Sequence, residues 1–313
     1  MSRGVSLPLD SYRLAQYAVG MPCYICGDDN THDAELCRHC YAPMALAHQA
    51  RSQNVLPRMI ATIGNSGAGK TVYLGMLLDM LSRQPERVQV LARGAFSITL
   101  QQVTVAALSR CQFPQKTPSE ADRWNWVHCQ VRAAKQKRAA ELIMPDVAGE
   151  AIVEEIDHPF SHRAIRTLLV KCAGAMLLVD AHRLQEGSLE QDFFTMKLLC
   201  YLSELAEADP RGKRGKGGVP PWAERPVAVI FTKADECERC FENPAEYARQ
   251  HVPGLWQFCR ERFHNVQYFA SGVAGACAVR NIPYEGRRRV PLRIEPRGIV
   301  EPFEWLVSRL PEA

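Results

Sequence analysis

The chain has 313 residues, with 38 Lys+Arg against 34 Asp+Glu and a formal net charge of +4. That near balance excludes a chain-wide attraction for nucleic acid or an anionic membrane surface. A hydrophobic fraction of 47% is ample for a core, and no apolar run reaches membrane-spanning length. Neither a secretory signal nor a lipidation motif is legible, so a cytoplasmic setting with reduced thiols is expected.

Residues 1–20 read as a short polar or amphipathic leader. Behind it, Cys23-Tyr24-Ile25-Cys26-Gly27 and Cys37-Arg38-His39-Cys40 form two C-x-x-C pairs across a ten-residue spacer. Two such knuckles supply the four thiolates that structural Zn²⁺ prefers, and Gly27 frees the backbone for the turn. Disulfides are the alternative; the lack of secretory context favours metal, which would also supply folding free energy that so short a segment lacks. His32 and His39 lie inside the module but are surplus to a four-cysteine shell. A zinc ribbon at 21–44, a linker at 45–57 and one large domain at 58–313 follow as the expected organisation.

The large domain opens on an apolar strand, 58–63, followed by Gly64-Asn65-Ser66-Gly67-Ala68-Gly69-Lys70-Thr71 and a helical pattern over 71–83. Strand, glycine-rich loop and helix are the context in which G-x-x-x-x-G-K-[ST] binds phosphate. Glycines let successive backbone N–H groups face one anion at a helix N-terminus, Lys70 adds a point charge for the β- and γ-phosphates, and the Thr71 hydroxyl is a Mg²⁺ ligand. The chain is therefore expected to bind a nucleoside triphosphate. The stretch 84–116 reads as partly extra helix. Phe113-Pro114-Gln115-Lys116-Thr117-Pro118 then precedes a strand at 124–131.

A further strand, 138–145, ends in Asp146-Val147-Ala148-Gly149-Glu150. In D-x-x-G after a phosphate loop, the acid holds Mg²⁺ through its water shell and the glycine lets a backbone N–H approach the γ-phosphate. Helical patterns at 151–171 and 188–207 flank a strand at 174–180. The strand at 226–231 runs into Thr232-Lys233-Ala234-Asp235, which fits [NT]-K-x-D. One carboxylate at Asp235 can accept from both N1–H and the 2-amino group of guanine, whereas adenine offers no donors there; discrimination of about 1–3 kcal/mol follows. Lys233 is expected along the base or against the phosphate loop. After the helical pattern 244–263, the strand 265–269 leads to Ala270-Ser271-Gly272, a small-residue loop placed to offer a backbone N–H to the guanine O6. A last helix is expected at 298–309.

In this order the phosphate loop, D-x-x-G, T-K-x-D and A-S-G resemble the motifs of Ras-like, translation-factor-related GTPases over roughly residues 55–313. Phosphate loop plus T-V-Y-L, then F-P-Q-K-T, P-D-V-A-G-E and P-F-E-W-L are most similar to the bacterial double-GTPase families. The resemblance implies an α/β fold with a mostly parallel six-stranded sheet, helices on both faces, and nucleotide at the carboxyl ends of the strands. It also implies a switch threonine ahead of the second strand, for which Thr117 is in position, and a second GTPase as partner. Glu150 departs from the pattern: relatives commonly carry Gln there to orient the attacking water. A carboxylate adds negative charge beside an anionic transition state, which points to slow hydrolysis or to completion of the site by a partner.

The catalytic set expected is thus Lys70, Thr117, Gly149 and Glu150, with Thr71, Thr117 and Asp146 on Mg²⁺. Arg123, Arg163 and Arg166 lie near the switch segments, but nothing marks any of them as an arginine finger. Cys237-Glu238-Arg239-Cys240 is a lone pair with no assigned role. The glycine-spaced basic run 211–218 and Arg287-Arg288-Arg289 read as solvated loops, with docking of an acidic protein or RNA as the sharper option. A GTP-hydrolysing switch, a GTP-gated interaction module with little turnover, and a P-loop ATPase or kinase remain in competition at this point.

Overall fold

The computed structural model describes residues 20–53, 57–83, 88–133, 139–208, 221–282 and 286–310. The expected leader, but for Gly20, and the basic run 211–218 lie outside them.

Three apolar runs form the middle of the structure because both their faces are covered. They are β3 (Arg58–Gly64), β7 (Gly174–Asp180) and β8 (Val227–Thr232), each almost wholly buried. Alternation is still legible inside them. Ala61, Ile63, Leu177, Val179, Val229 and Phe231 point into one apolar layer. Ile60, Met176, Leu178, Ala228 and Ile230 point into the other. Strands of this kind, buried on both faces, are those of parallel sheets under helices.

Earlier in the chain come β1 (Gly20–Pro22), β2 (Asp29–Thr31) and α1 (Met44–Gln53). Around β3 and β7 lie α2 (Lys70–Arg83), β4 (Val88–Arg93), α3 (Ala95–Ser109), β5 (Asn125–Ala133), β6 (Ala140–Asp146), α4 (Gly149–Asp157) and α5 (Arg163–Lys171). Beyond β7 come α6 (Ala181–Gln185) and α7 (Glu190–Ala208), and beyond β8 come α8 (Glu238–Glu242), α9 (Pro244–His251), α10 (Pro253–Arg262), β9 (Val266–Ala270), β10 (Gly272–Ile282), β11 (Gly286–Arg297) and α11 (Val300–Arg309). The central sheet has the order β4-β5-β6-β3-β7-β8-β9. Its β6, β3, β7, β8 and β9 run parallel, while β5 is antiparallel to β6 and to β4.

The architecture is the α/β fold with a mostly parallel sheet expected from the sequence, and it carries one strand more than the expected six. The addition is β4, from the stretch read as extra helix. That stretch holds both a short edge strand and the helix α3. The helix packs so closely on α2 that a Cβ on Gly75 would fall 2.2 Å from the Thr104 hydroxyl oxygen. The 151–171 pattern is two helices, parted where His158 precedes Pro159 and Phe160 takes φ +80°; a residue before proline is disfavoured from continuing a helix. The buried Glu155 carboxylate satisfies the break, accepting from the backbone N–H groups of Phe160 at 3.1 Å and His162 at 2.7 Å. Pro253 likewise splits 244–263, starting α10 at the position where proline is tolerated.

Arg287-Arg288-Arg289 is not a solvated loop. It opens β11, which pairs antiparallel with β10 in a long hairpin. Its Arg289 donates to Glu236 at 2.9 Å. Proline at 283, 291 and 296 masked the strand pattern, since proline normally demotes a run from sheet.

Residues 45–57, expected as a linker, contain most of α1. The cysteine module packs on the domain behind it: Met21, Cys23, Ile25, Cys37, Cys40, Ala42, Met44 and Leu46 share one apolar layer with the α5 residues Ala164, Ile165 and Leu168. At the seam, Lys171 Nζ donates to the Ile25 carbonyl at 2.8 Å, and Arg163 pairs with Asp28. Ile25 is 0% exposed. Ile25→Ala is expected to destabilise the whole protein by about 2–4 kcal/mol. In a urea titration read by tryptophan fluorescence, the loss should appear as a shift of one transition; a separate early transition of the cysteine module would contradict the shared core.

Candidate functional site

β3 delivers the chain to the carboxyl edge of the sheet, and the next turn is shaped by glycine. Gly67 and Gly69 sit at φ +74° and +85°, where an L-residue is strained. Ala68 N–H donates to the Asn65 carbonyl at 3.1 Å, and Tyr73 N–H to Gly69 at 2.8 Å, the first helical bond of α2. Lys70 folds back under this loop, donating to the carbonyls of Gly64 at 2.8 Å and Asn65 at 3.2 Å. Burial pushes its ammonium down to about 8, against the pull of Asp146 and Glu150.

Three residues far apart in sequence converge beside Lys70. Thr71 and Thr117 hydroxyls are 2.8 Å apart, and each donates to Asp146, at 3.2 Å to Oδ1 and 3.0 Å to Oδ2 respectively. Asp146 is 0% exposed. Burial raises its pKa, opposed by Lys70 and by hydrogen bonds from Thr71, Thr117 and Asn125. Asn125 reaches it because the antiparallel register of β5 sets it opposite Asp146. These three oxygen donors are a hard-cation set, suited to Mg²⁺.

Gly149 opens α4 hard against the phosphate loop: a Cβ there would fall 2.4 Å from the Ser66 backbone nitrogen. The next residue, Glu150, accepts at Oε1 from the Ser66 hydroxyl at 2.5 Å and from Lys116 at 3.0 Å, while Lys116 lies 3.0 Å from Ser66 Oγ. Partial burial tends to raise the Glu150 pKa, but these donors win and hold it down to about 2.

At the other end, Thr232 donates to the Ala68 carbonyl at 2.7 Å, tying β8 to the phosphate loop. Lys233, at φ +54°, pairs with Asp180 at 2.5 Å instead of lying on the loop itself. Asp235 faces the start of β10; burial raises its pKa, countered by backbone N–H groups including those of Ala274 and Val273, and by Arg289. Ser271 N–H donates to Phe231 and Ala234 N–H to Ser271, at 2.8 and 3.1 Å, which joins the β8 and β9 ends into one wall.

One cavity of about 290 Å³ runs between the two ends, reaching from Lys70, Thr71 and Thr117 to Lys233, Asp235 and Ser271. Ala270 is buried behind its wall. Among the lining residues to which sequence reasoning gave no role are Lys116, Cys277 and Arg289. Lys116 was legible as the neighbour of Thr117; the other two belong to the unforeseen hairpin. The three arginines left open are elsewhere. Arg163 holds Asp28, Arg166 lies over the Phe160 ring, and Arg123 ends a short 3₁₀ turn.

On the far side of α5 the four cysteines gather. Cys23 and Cys40 sulfurs are 3.7 Å apart, Cys26 and Cys37 3.6 Å, and all four lie within 4.8 Å of one another. Disulfide sulfurs stand at about 2.0 Å, while four thiolates about 2.3 Å from one Zn²⁺ stand about 3.8 Å apart at tetrahedral angles. The donor set therefore fits zinc. The two knuckles repeat each other: Gly27 N–H donates to Cys23 and Tyr41 N–H to Cys37, both at 2.9 Å, with positive φ at Gly27 and Tyr41 alike. Asn30 Nδ2 lies 3.4 Å from Cys37 Sγ as an outer support. His39 instead faces Arg38 and His32 stacks on His48, outside the cluster. Cys237 and Cys240 are buried and join no metal cluster among the described residues.

Loop, buried carboxylate, converging hydroxyls and base-end carboxylate stand on this sheet in the arrangement of a P-loop GTPase fold. Residues 61–210 match the family model described as Double-GTPase 1. Over that stretch the chain is similar to the double-GTPase families, and ahead of it stands an N-terminal cysteine cluster of zinc-ribbon type. Similar solved structures include Roco2 RocCORdC of Methanosarcina barkeri bound to GDP, at 14% identity and TM-score 0.33, covering 81% of this chain and 48% of that one. Another is the S. cerevisiae Ski7 GTPase-like domain bound to GDP and inorganic phosphate, at 12% identity and TM-score 0.37, covering 72% of this chain and 45% of that one. The chain thus spans about half the length of each. No curated protein matches it.

Purified protein is expected to release about one Zn²⁺ per chain when its thiolates are titrated with a mercurial, read with a metallochromic dye. Cys37→Ser should lower both zinc content and Tm; full stability without bound metal would remove the metal assignment.

Proposed function

We propose that this chain is a GTP-binding and GTP-hydrolysing molecular switch of bacterial type, slow alone or activated by a partner. The support comes above all from one arrangement: a single cavity has the Thr71–Thr117–Asp146 cluster at one end and Asp235 at the other. In this reading the backbone of residues 64–71 and the Lys70 ammonium hold the phosphates. Thr71 and Thr117 hydroxyls, with Asp146 behind them, hold Mg²⁺, which supplies charge neutralisation at the β- and γ-phosphates. Asp235 selects guanine, Thr232 and Lys233 brace that end, and Ala270 and Ser271 build the wall against which the base lies.

The switch loops are the segment around Thr117 and the segment from Gly149. Each borders the phosphate loop, so a γ-phosphate bound there can change their order. Hydrolysis to GDP and phosphate then releases them. The ribbon sits on α5, just beyond the second switch segment, and serves as a platform on which a protein effector or second GTPase docks. Nucleic acid is the less favoured partner, given the near-neutral charge. The location proposed is cytoplasmic; no described helix is long and apolar enough to cross a membrane.

A second reading is favoured by Glu150: a GTP-gated interaction module with very little turnover. Phosphate release at steady state, alone and with candidate partners, separates the two. A P-loop ATPase or kinase is disfavoured by Asp235. Asp235→Asn is expected to weaken GTP by about 10- to 100-fold and to improve xanthosine triphosphate, read by competition against a fluorescent guanine nucleotide. Lys70→Ala should abolish triphosphate binding with the fold intact by circular dichroism. Undiminished guanine preference in the first variant, or tight binding in the second, would sink the assignment.

A further inference from the structure

We propose that Lys116 is a built-in cation for the γ-phosphate and that Glu150 is the positioning residue that holds it there. The inference rests on the GTPase reading and assigns the residue that completes its site.

The observation is a three-way contact at the mouth of the phosphate loop. Lys116 Nζ stands 3.0 Å from Glu150 Oε1 and 3.0 Å from Ser66 Oγ, and Ser66 itself donates to the same Glu150 oxygen. The side chains are 73% and 45% exposed for Lys116 and Glu150. Exposed ion pairs contribute little to stability, so folding alone gives no reason for a lysine and a carboxylate to meet over this loop. What distinguishes the place is its surroundings. Lys116 directly precedes Thr117, whose hydroxyl is in the Asp146 cluster, and Glu150 directly follows Gly149, which abuts the Ser66 backbone. Both side chains line the cavity together with Lys70 and Thr71.

A triphosphate seated on the loop brings several negative charges to this point. Glu150 alone would oppose it, and the other nearby carboxylate, Asp146, is already committed to the two threonines. Lys116 reverses the local sign. Held at Glu150, its ammonium has two further donor hydrogens, and one of them now meets Ser66. When a γ-phosphate arrives, that hydrogen bond passes from the Ser66 hydroxyl to a γ-phosphate oxygen while the Glu150 bond is kept. Lys116 then joins the first switch segment to the nucleotide, and Glu150 joins it to the second. In hydrolysis, water oxygen bonds to the γ-phosphorus as the bond to the β-phosphate oxygen breaks, that oxygen keeping the electron pair. The products are GDP and inorganic phosphate, and the water proton ends on phosphate. Lys116 stays protonated throughout and offsets charge on the transferring group. Glutamate in place of glutamine is thus the tether of a cation supplied in cis.

The test uses full-length protein and four variants: Lys116→Ala, Lys116→Arg, Glu150→Gln and the Lys116→Ala/Glu150→Gln double. Affinities for GTPγS and GDP are measured by displacement of a fluorescent guanine nucleotide, and phosphate release is followed with protein in excess over GTP. Lys116→Ala is expected to weaken GTPγS by about 10- to 100-fold, the worth of one charge-assisted hydrogen bond, while GDP affinity holds. Single-turnover hydrolysis should fall by about 10²-fold. Lys116→Arg should recover most of both. The decisive sign is in the double variant: Glu150→Gln should raise GTPγS affinity when Lys116 is absent, by removing an uncompensated charge, and should not when Lys116 is present.

An unchanged GTPγS-to-GDP ratio and rate in Lys116→Ala, with wild type binding guanine nucleotide normally, overturns this proposal and leaves the GTPase reading standing. Equal losses for GTPγS and GDP, without rescue by arginine, also overturn it. Failure of the wild-type protein to bind guanine nucleotide removes both.

Discussion

The site depends on one buried carboxylate. Asp146 has no exposure, yet it ends a strand beside a buried lysine and takes hydrogen bonds from two threonines, one on α2 and one on the loop before β5. A carboxylate so placed is costly unless it is satisfied. Lys70, Thr71, Thr117 and Asn125 together supply what solvent would have supplied, and they come from three parts of the chain. Fixing Asp146 therefore fixes the phosphate loop, the helix α2 and the segment around Thr117 at once. The sheet order makes this possible: β6 and β7 flank β3, so the two strand ends nearest the loop carry Asp146 and Asp180. Both acids are buried, and both face a lysine, Lys70 for one and Lys233 for the other.

The cysteine module is packed into the domain's own core. A ribbon tethered by a free linker would sense nothing of the nucleotide. Here it shares an apolar layer with α5 and pairs its Asp28 with Arg163, at the first residue of that helix. α5 follows α4 across a break capped by Glu155, and α4 begins at Gly149. Between the Gly149 segment and the ribbon there are thus one helix break, at 158–162, and one short helix. The break has a physical cause: proline blocks the helix there, and a single carboxylate holds the turn through two backbone N–H groups.

What the sequence made legible follows from the range of the interactions involved. The strands at 58–64, 174–180 and 227–232 were readable because both faces are buried and the residues between carry no alternative. The phosphate loop, the D-x-x-G and the four cysteines were readable because their chemistry fixes local spacing. β4 was hidden because a six-residue edge strand with Leu91 facing solvent has no strong pattern. The hairpin of β10 and β11 was hidden by its prolines, and its pairing is a non-local fact. Arg289 and Cys277 went unseen as cavity residues for that same reason. Lys116 stood beside Thr117 in plain view, but its meaning lies in the distance to Glu150, and no spacing rule encodes 34 residues of separation.

The site also divides by rigidity in a way that suits a switch. Thr71, Lys70 and Asp146 are held by buried bonds, and Thr232 is locked to the phosphate loop through Ala68. Lys116, Glu150 and Ser66 meet at the surface, in an exposed cluster whose members gain little from one another alone. The buried half has one arrangement available to it, because every departure strands a polar group away from water. The exposed half can exchange partners at small cost, since water replaces whatever is lost. A γ-phosphate arriving between them meets fixed donors on one side and movable ones on the other. In the proposed reading only the movable side reports its presence, and that side lies on the segment around Thr117 and the segment from Gly149.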